Sequence, residues 1–323
     1  MKILVYGLGY VGTVTAAMLA RVGHTVLGID SNQAKVDMIN SGESPVNEPY
    51  LESLIKEQLS CGRLTASKDT KTIDDLDVVF ICVGTPSNVD GDMDDSQIRN
   101  VISEITDIKQ PIGSRLVVFN RSTCLPSTHM WAVTNLKKRF LGRVEYFVHP
   151  EFLREGSALS DFKSPPLILY GSEEEVNTDL VEISKLLYPG VTSPVHVVGI
   201  KEAAVAKYAS NAFHAVKVTF ANEIGSISKS VGADARSILE ILCCDTTLNI
   251  SEAYLKPGMP YGGSCLPKDV SALVGLATGL GTTAHMLGTL NESNDNQISS
   301  ICERLLAEKP ESIGFLGISF KQG

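Results

Sequence analysis

Lys2-Ile3-Leu4-Val5-Tyr6-Gly7-Leu8-Gly9-Tyr10-Val11-Gly12 is the stretch that decides the fold. Its mostly apolar start predicts a strand over Lys2 to Tyr6, and a helical pattern runs from the glycines through Val22. Glycines at this GxGxxG spacing permit a tight turn, close approach of the backbone to a ligand, and close packing of helix on strand. A second strand is expected over Thr25 to Ile29. It ends in Asp30, 18 residues after Gly12, where an acidic side chain meets the ribose hydroxyls of a dinucleotide. Ser31 and Asn32 follow, with no arginine to accommodate a 2′-phosphate, so the pattern points to NAD rather than NADP. Gly7, Gly9, Tyr10, Val11, Gly12 and Asp30 are therefore candidate cofactor contacts. The structural alternative is a tight strand-to-helix turn with an incidental aspartate. Lys35 either reaches the cofactor or is a solvated helix charge.

Working outward, further strands are expected at Asp77 to Val83, Arg115 to Asn120, Val144 to Val148, Pro166 to Tyr170 and Val195 to Val198. Two of them run into polar turns, Gly84-Thr85-Pro86 and Arg121-Ser122-Thr123-Cys124-Leu125-Pro126. Ligands of open parallel sheets bind beyond the carboxyl ends of strands, which places Thr85 and Thr123 to touch cofactor or substrate, unless their hydroxyls cap helices. The strand ending at Val148 opens into His149-Pro150-Glu151-Phe152-Leu153-Arg154-Glu155-Gly156. If this stretch is helical, Glu151 and Glu155 share a face, either as a solvated pair or as a base and a substrate ligand. These elements predict an α/β fold whose N-terminal Rossmann-type parallel-sheet domain covers 1–199.

Lys201 to about Val231 reads as one long helix, interrupted by neither proline nor glycine except Gly225. Such length suits a connecting spine or a subunit interface. Lys207 and Asn211 stand one turn apart on it, and His214, Lys217, Asn222 and Glu223 continue a polar stripe. The stripe is either the wet side of a surface helix or, facing a thiol, an oxyanion site. A shorter helix over Ala235 to Cys243 leads toward Gly262-Gly263-Ser264-Cys265-Leu266-Pro267-Lys268-Asp269. There a cysteine sits in a glycine-rich turn ahead of an apolar helical run. The glycines, the helix start and Lys268 all favour a reactive thiolate, although an isolated loop cysteine is more often a small buried apolar residue. Helices over Val270 to Thr278 and Asn294 to Ala307 complete a helical central domain, 200–307. Ser312 to Ile318 reads as a fresh Rossmann-type strand with no layer to pack on, the start of a C-terminal domain over 308–323.

With 28 Lys+Arg against 37 Asp+Glu in 323 residues, the net charge of −9 argues against a nucleic-acid partner. Local basic clusters can still hold an anionic small molecule. Seven cysteines without metal-type pairing predict neither a metal site nor a disulfide framework, and so a reducing compartment. The uncharged stretch after Lys2 resembles a secretory signal, but Gly7, Gly9 and Gly12 break it. Val270 to Asn291, with four glycines, four threonines and a histidine, is a poor membrane span. The expectation is a soluble, cytoplasmic protein with no membrane partner.

As a set, the glycine turn, Gly84-Thr85-Pro86, Ser122-Thr123, Pro150-Glu151-Phe152-Leu153, Lys207 with Asn211, and Gly262 to Asp269 resemble the nucleotide-sugar 6-dehydrogenase family, across essentially the whole chain. Phe213 to Glu223, and the approach from Leu248-Asn249 to Pro257-Gly258, draw the likeness toward its GDP-mannose branch, with UDP-glucose as the alternative substrate. The resemblance implies NAD-dependent four-electron oxidation of a sugar CH₂OH to a carboxylate through a thioester on Cys265, for polysaccharide biosynthesis. Lys207 and Asn211 then stabilise oxyanions, Asp269 positions or assists water, and Glu151 with Thr123 handles the proton. The resemblance places Lys268 with the cofactor residues, and Glu155, His214, Asn222, Tyr254, Lys256, Gly262 and Lys321 at the substrate. Separately, the apolar face of the long helix from Lys201 would be left in water alone, so a homodimer through that helix is expected.

Three positions depart from the family pattern. Lys256 stands where the GDP-mannose branch has an arginine, and Tyr50 and Ser127 stand where the family usually has glycine. The family continues past Phe320-Lys321-Gln322-Gly323 into a third domain, so a truncated C-terminal Rossmann-like domain is expected, with NAD binding but poor turnover. Two rival readings are a β-hydroxyacid dehydrogenase, which yields one NADH per turnover instead of two, and a non-catalytic NAD-binding or dimerising module.

Overall fold

The computed structural model describes residues 1–70, 75–108, 115–141, 143–173, 178–230, 232–246, 258–279 and 285–314. The chain divides into two compact units, Met1–Pro86 with Asp94–Lys207, and Ser87–Met93 with Tyr208–Gly323.

The first unit is a doubly wound α/β sheet. Its elements are β1 (Lys2–Tyr6), α1 (Tyr10–Arg21), β2 (Thr25–Ile29), α2 (Gln33–Ser41), α3 (Leu51–Ser60), β3 (Leu64–Ser67), β4 (Val78–Ile81), α4 (Ser96–Asp107), β5 (Leu116–Asn120), α5 (Pro126–Phe140), β6 (Val144–Val148), α6 (Ala158–Lys163), β7 (Ile168–Ser172), α7 (Thr178–Leu187) and β8 (Val195–Gly199). The sheet order is β3-β2-β1-β4-β5-β6-β7-β8. The chain starts at β1, builds outward to β3, then returns to place β4 on the other side of β1, and the crevice at that reversal is where such sheets bind ligands. Strands β4 and β5 are buried along their whole length, as expected of central parallel strands covered on both faces.

One pairing is antiparallel. Strand β7 meets β6 at Val148↔Gly171, and glycine suits that place because a Cβ on Gly171 would lie 2.6 Å from the Ala203 Cβ. Strand β3, which the sequence reading did not anticipate, is a four-residue edge whose pattern is too short to register.

Helix α8 (Ile200–Ser230) matches the long helix expected, and carries the chain from the first unit into the second. There follow α9 (Ala235–Cys244), α10 (Leu266–Gly279) and α11 (His285–Ala307). Helix α11 begins well before Asn294, since nothing in 285–293 breaks a helix except Gly288. Among the described residues of this unit, Ala212, Ala215, Tyr261, Val270 and Leu290 pack into an apolar core. Among the described residues, no helix is long and apolar enough to cross a membrane. The strand expected over Ser312 to Ile318 falls largely outside the described residues, and 312–314 are not in a strand.

Candidate active site

The glycine turn assigns a separate task to each glycine. Gly7 has φ +88°, and a Cβ there would lie 2.7 Å from the Cys82 carbonyl oxygen. A Cβ on Gly12 would lie 1.7 Å from the Gly7 carbonyl oxygen, so this residue lets α1 close on the turn. A Cβ on Gly9 would meet nothing within 4 Å. Gly9 is also the N-cap of α1. No side chain caps this helix start and no acid stands in its first turn, an arrangement that fits a pyrophosphate.

Asp30, at the end of β2, uses Oδ2 to accept from the Leu8 N–H at 2.7 Å and Oδ1 to accept from the Asn32 N–H at 2.9 Å. The carboxylate thus holds the turn through two backbone N–H groups. Lys35 is neither free nor distant, since its Nζ lies 3.5 Å from Asp30 Oδ2. Val11 is half-buried against the core. Tyr10 turns its hydroxyl away from the turn to donate to Glu48.

At the carboxyl ends of β4 and β5 the two polar loops are knitted together. The Thr85 hydroxyl donates to the Thr123 carbonyl at 2.8 Å, and the Ser122 hydroxyl to the Val83 carbonyl at 2.8 Å. Thr85 is therefore committed in part to joining the loops, and Thr123 remains half-buried beside it.

The 149–156 stretch is not helical, which corrects the shared face expected for Glu151 and Glu155. Instead Glu151 Oε2 accepts from the Leu153 N–H at 2.6 Å, a local turn that competes with helix formation. Its Oε1 lies 3.1 Å from Lys207 Nζ, and both side chains are largely buried. The Lys207 ammonium also sits 5.3 Å from the Phe152 ring centroid. Glu155 is exposed on the loop beyond.

Behind Glu151 lies a polar chain to which the sequence reading gave no role. His149 is fully buried, and burial, reinforced by the nearby Arg121 charge, pushes its pKa down to about 3. The ring is therefore neutral. Its Nδ1 lies 2.9 Å from the Leu169 carbonyl, which can only accept, so Nδ1 carries the proton. Nε2 must then accept from the Tyr188 hydroxyl at 2.6 Å, and the Tyr188 oxygen accepts from Arg121 Nη1 at 3.0 Å. Arg121 and His149 stood in quoted motifs, whereas Tyr188, on the connection after α7, carried no local signal.

The cysteine turn belongs to the second unit. Gly263 has φ +80°, and the exposed Cys265 immediately precedes α10. The Asp269 N–H donates to the Cys265 carbonyl at 2.9 Å, so the acid stands one helical turn on. Its carboxylate is 1% exposed. Oδ2 accepts from Asn211 Nδ2, and Oδ1 lies 2.8 Å from Lys268 Nζ. Gly262 is exposed, and a Cβ there would meet nothing within 4 Å.

Asparagines hold this turn from a distance. Asn222 Oδ1 accepts from the Gly258 N–H at 2.7 Å. Asn294 grips Tyr261 on both sides, accepting from its N–H at 2.8 Å and donating to its carbonyl at 2.9 Å. The Tyr261 hydroxyl donates to Asn291 Oδ1 at 2.7 Å. Asn291 and Asn294 were missed because their partners lie about thirty residues away in sequence. His214 is half-buried, and Lys217 Nζ stands 5.1 Å from the Phe213 ring centroid. Leu248, Asn249, Tyr254, Lys256, Pro257 and Lys321, and the side chain of Glu223, lie outside the described residues.

The NAD binding domain model of the UDP-glucose/GDP-mannose dehydrogenase family matches residues 1–191, and the central domain model of that family matches 201–307. The chain belongs to the UDP-glucose/GDP-mannose dehydrogenase family. As a member it is an NAD-dependent oxidoreductase, a nucleotide-sugar 6-dehydrogenase. It is 42% identical to a GDP-mannose 6-dehydrogenase of Pseudomonas aeruginosa, over 100% of this chain and 75% of the relative. It is 35% identical to a UDP-glucose 6-dehydrogenase of Bacillus subtilis, over 99% of this chain and 73% of the relative. The solved UDP-glucose dehydrogenase of Pyrobaculum islandicum matches with a TM-score of 0.84 at 32% identity, over 95% of this chain and 71% of that one.

Proposed function

We propose that this dehydrogenase oxidises GDP-mannose to GDP-mannuronate, in preference to UDP-glucose, through a thioester on Cys265. The observation that carries the covalent reading is an exposed cysteine at a glycine turn, with a buried Asp269–Asn211 pair one helical turn on. The greater identity to the GDP-mannose relative supports the substrate preference.

The glycine turn, the α1 amides and Asp30 hold NAD, which when bound supplies the hydride acceptor for both two-electron oxidations. Glu151, assisted by Thr123, takes the proton of the C6 hydroxyl as the alcohol becomes an aldehyde. The Cys265 sulfur adds to the aldehyde carbon, and its proton ends on the new hydroxyl to give a thiohemiacetal. Loss of hydride and of that hydroxyl proton leaves a thioester. Water, positioned by Asp269, adds to the thioester and expels the thiol, releasing the carboxylate. Lys207 and Asn211 supply N–H groups to the oxyanions. Lys35, Thr85 and Lys268 assist at the cofactor side, and Glu155, His214, Asn222, Tyr254, Lys256, Gly262 and Lys321 serve the sugar nucleotide.

The same reading divides the chain into an NAD-binding domain at 1–199, a helical central domain at 200–307, and the start of a third domain at 308–323. It also pairs two copies through α8, where Phe213 and Phe220, seven residues apart, are each 41% exposed. Seven free thiols suit a cytoplasmic location. The test is kcat/KM for the two sugar nucleotides together with the NADH formed per sugar. A GDP-mannose preference of tenfold or so with two NADH per sugar is expected. A preference for UDP-glucose overturns the substrate reading, and one NADH per sugar overturns the thioester route.

A further inference from the structure

Glu48 lies between α2 and α3, outside the glycine turns and the polar loops, and is 7% exposed. Three donors from two distant parts of the first unit converge on its carboxylate. The Ala158 N–H donates to Oε1 at 2.8 Å, and the Gly156 N–H donates to Oε2 at 2.7 Å. The third donor is the Tyr10 hydroxyl, whose single proton goes to Glu48 while its oxygen lies 3.3 Å from the Arg154 carbonyl oxygen and 3.2 Å from the Gly156 nitrogen. Tyr10 is the residue after Gly9 and opens α1, the helix whose N-terminus the proposed function assigns to NAD. Gly156 and Ala158 close the loop that begins at Glu151, and Arg154 within it is fastened to Asp161 by its N–H at 2.8 Å.

The geometry points to Glu48 as a positioning residue that ties the cofactor turn, through Tyr10, to the loop carrying Glu151. The two regions thereby share one rigid link, and occupancy of the turn sets the position of the proton acceptor. A carboxylate suits this place because it only accepts, and three donors need accepting atoms. A neutral amide at the same place would turn an N–H toward one of these donors. The inference rests on the reading of Glu151 as the proton acceptor for the alcohol.

Glu48→Gln, Tyr10→Phe and Glu151→Gln variants of the full chain test it, assayed for sugar-nucleotide turnover and NAD affinity. Amide hydrogen exchange at Gly156 and Ala158 is followed with and without NAD. Glu48→Gln and Tyr10→Phe should each lower kcat by about 10- to 100-fold, as a displaced reacting group does, with NAD Kd changed less than about threefold in Glu48→Gln. The double variant should be no worse than Glu48→Gln alone. In the wild type, NAD should slow exchange at Gly156 and Ala158, and in Tyr10→Phe that cofactor-dependent slowing should vanish. A purely structural cap gives exchange that does not respond to NAD in either protein, which overturns the proposal, as does unchanged kcat in Tyr10→Phe. If Glu48→Gln does not fold, Tyr10→Phe still decides. Retained activity in Glu151→Gln defeats the reading of Glu151, whereas an inactive Glu151→Gln beside a fully active Tyr10→Phe defeats only the link.

Discussion

The glycine turn at 7–12 and the glycine turn at 262–265 both precede a helix, yet they are held in opposite ways. The first is clamped by backbone, with Gly7 against the Cys82 carbonyl, Gly12 against the Gly7 carbonyl and only Gly9 open. The second is exposed, and what steadies it is a set of side chains arriving from elsewhere, namely Asn211 on Asp269, Asn222 on Gly258 and Asn294 on Tyr261. A binding turn works through its main chain and must have one shape. On the proposed reading of Cys265, a thiol that substrate must reach stands outside the packing while its supports are buried.

The largest effect separates the two turns by function. Cys265→Ser should lower acid formation by about a thousandfold or more while NAD Kd stays within about twofold, because a hydroxyl is a far weaker nucleophile than a thiolate. Single-turnover measurement of the uronate checks this, and wild-type acid release would remove the covalent role. The next contrast lies inside the first turn. Gly12→Ala should destabilise the first unit by about 3 kcal/mol or more, since its Cβ collides with main chain. Gly9→Ala should leave the urea midpoint unchanged and weaken NAD about tenfold. Equal loss of stability in both would erase the division of labour among the glycines.

A pH experiment sharpens the same contrast, because the buried imidazoles of His149 and His129 lie in the first unit. Burial lowers both to about 3. Unfolded, they titrate near 6.5, so between the two values the unfolded chain binds more protons and stability falls as pH drops from about 6.5 toward 3. Two such groups set a slope of up to about 2.7 kcal/mol per pH unit. Trp131, the single tryptophan, lies on α5 in that unit and reports it by fluorescence. His149→Gln should roughly halve the slope, and an unchanged slope would place the acid sensitivity elsewhere.

The smallest effect concerns Tyr50, where the family pattern has glycine. Tyr50 holds φ +65° at the start of α3 with its side chain 84% exposed. A left-handed backbone costs a non-glycine residue about 1–2 kcal/mol, part of which glycine returns through its freer unfolded chain. Tyr50→Gly should stabilise the first unit by up to about 1 kcal/mol, read as a shift of the same Trp131 transition.

The strands of the first unit, its glycine turn and the length of α8 were legible because they rest on periodicity and short-range spacing. So was the set of motifs marking the family. Strand β3 was too short to carry a pattern, and the conditional helix over 149–156 does not form, because the Glu151 carboxylate takes the Leu153 N–H for a turn of its own.

By itself the sequence determined the identity and spacing of Cys265, Asp269, Lys207, Asn211 and Glu151, and with them the motifs that mark the family. Only the tertiary structure decided how they are supported. The buried carboxylate of Glu48, the His149–Tyr188–Arg121 chain and the asparagines of α11 bond partners remote in sequence. A buried polar group must find a partner wherever the fold brings one, and no local pattern records where that is.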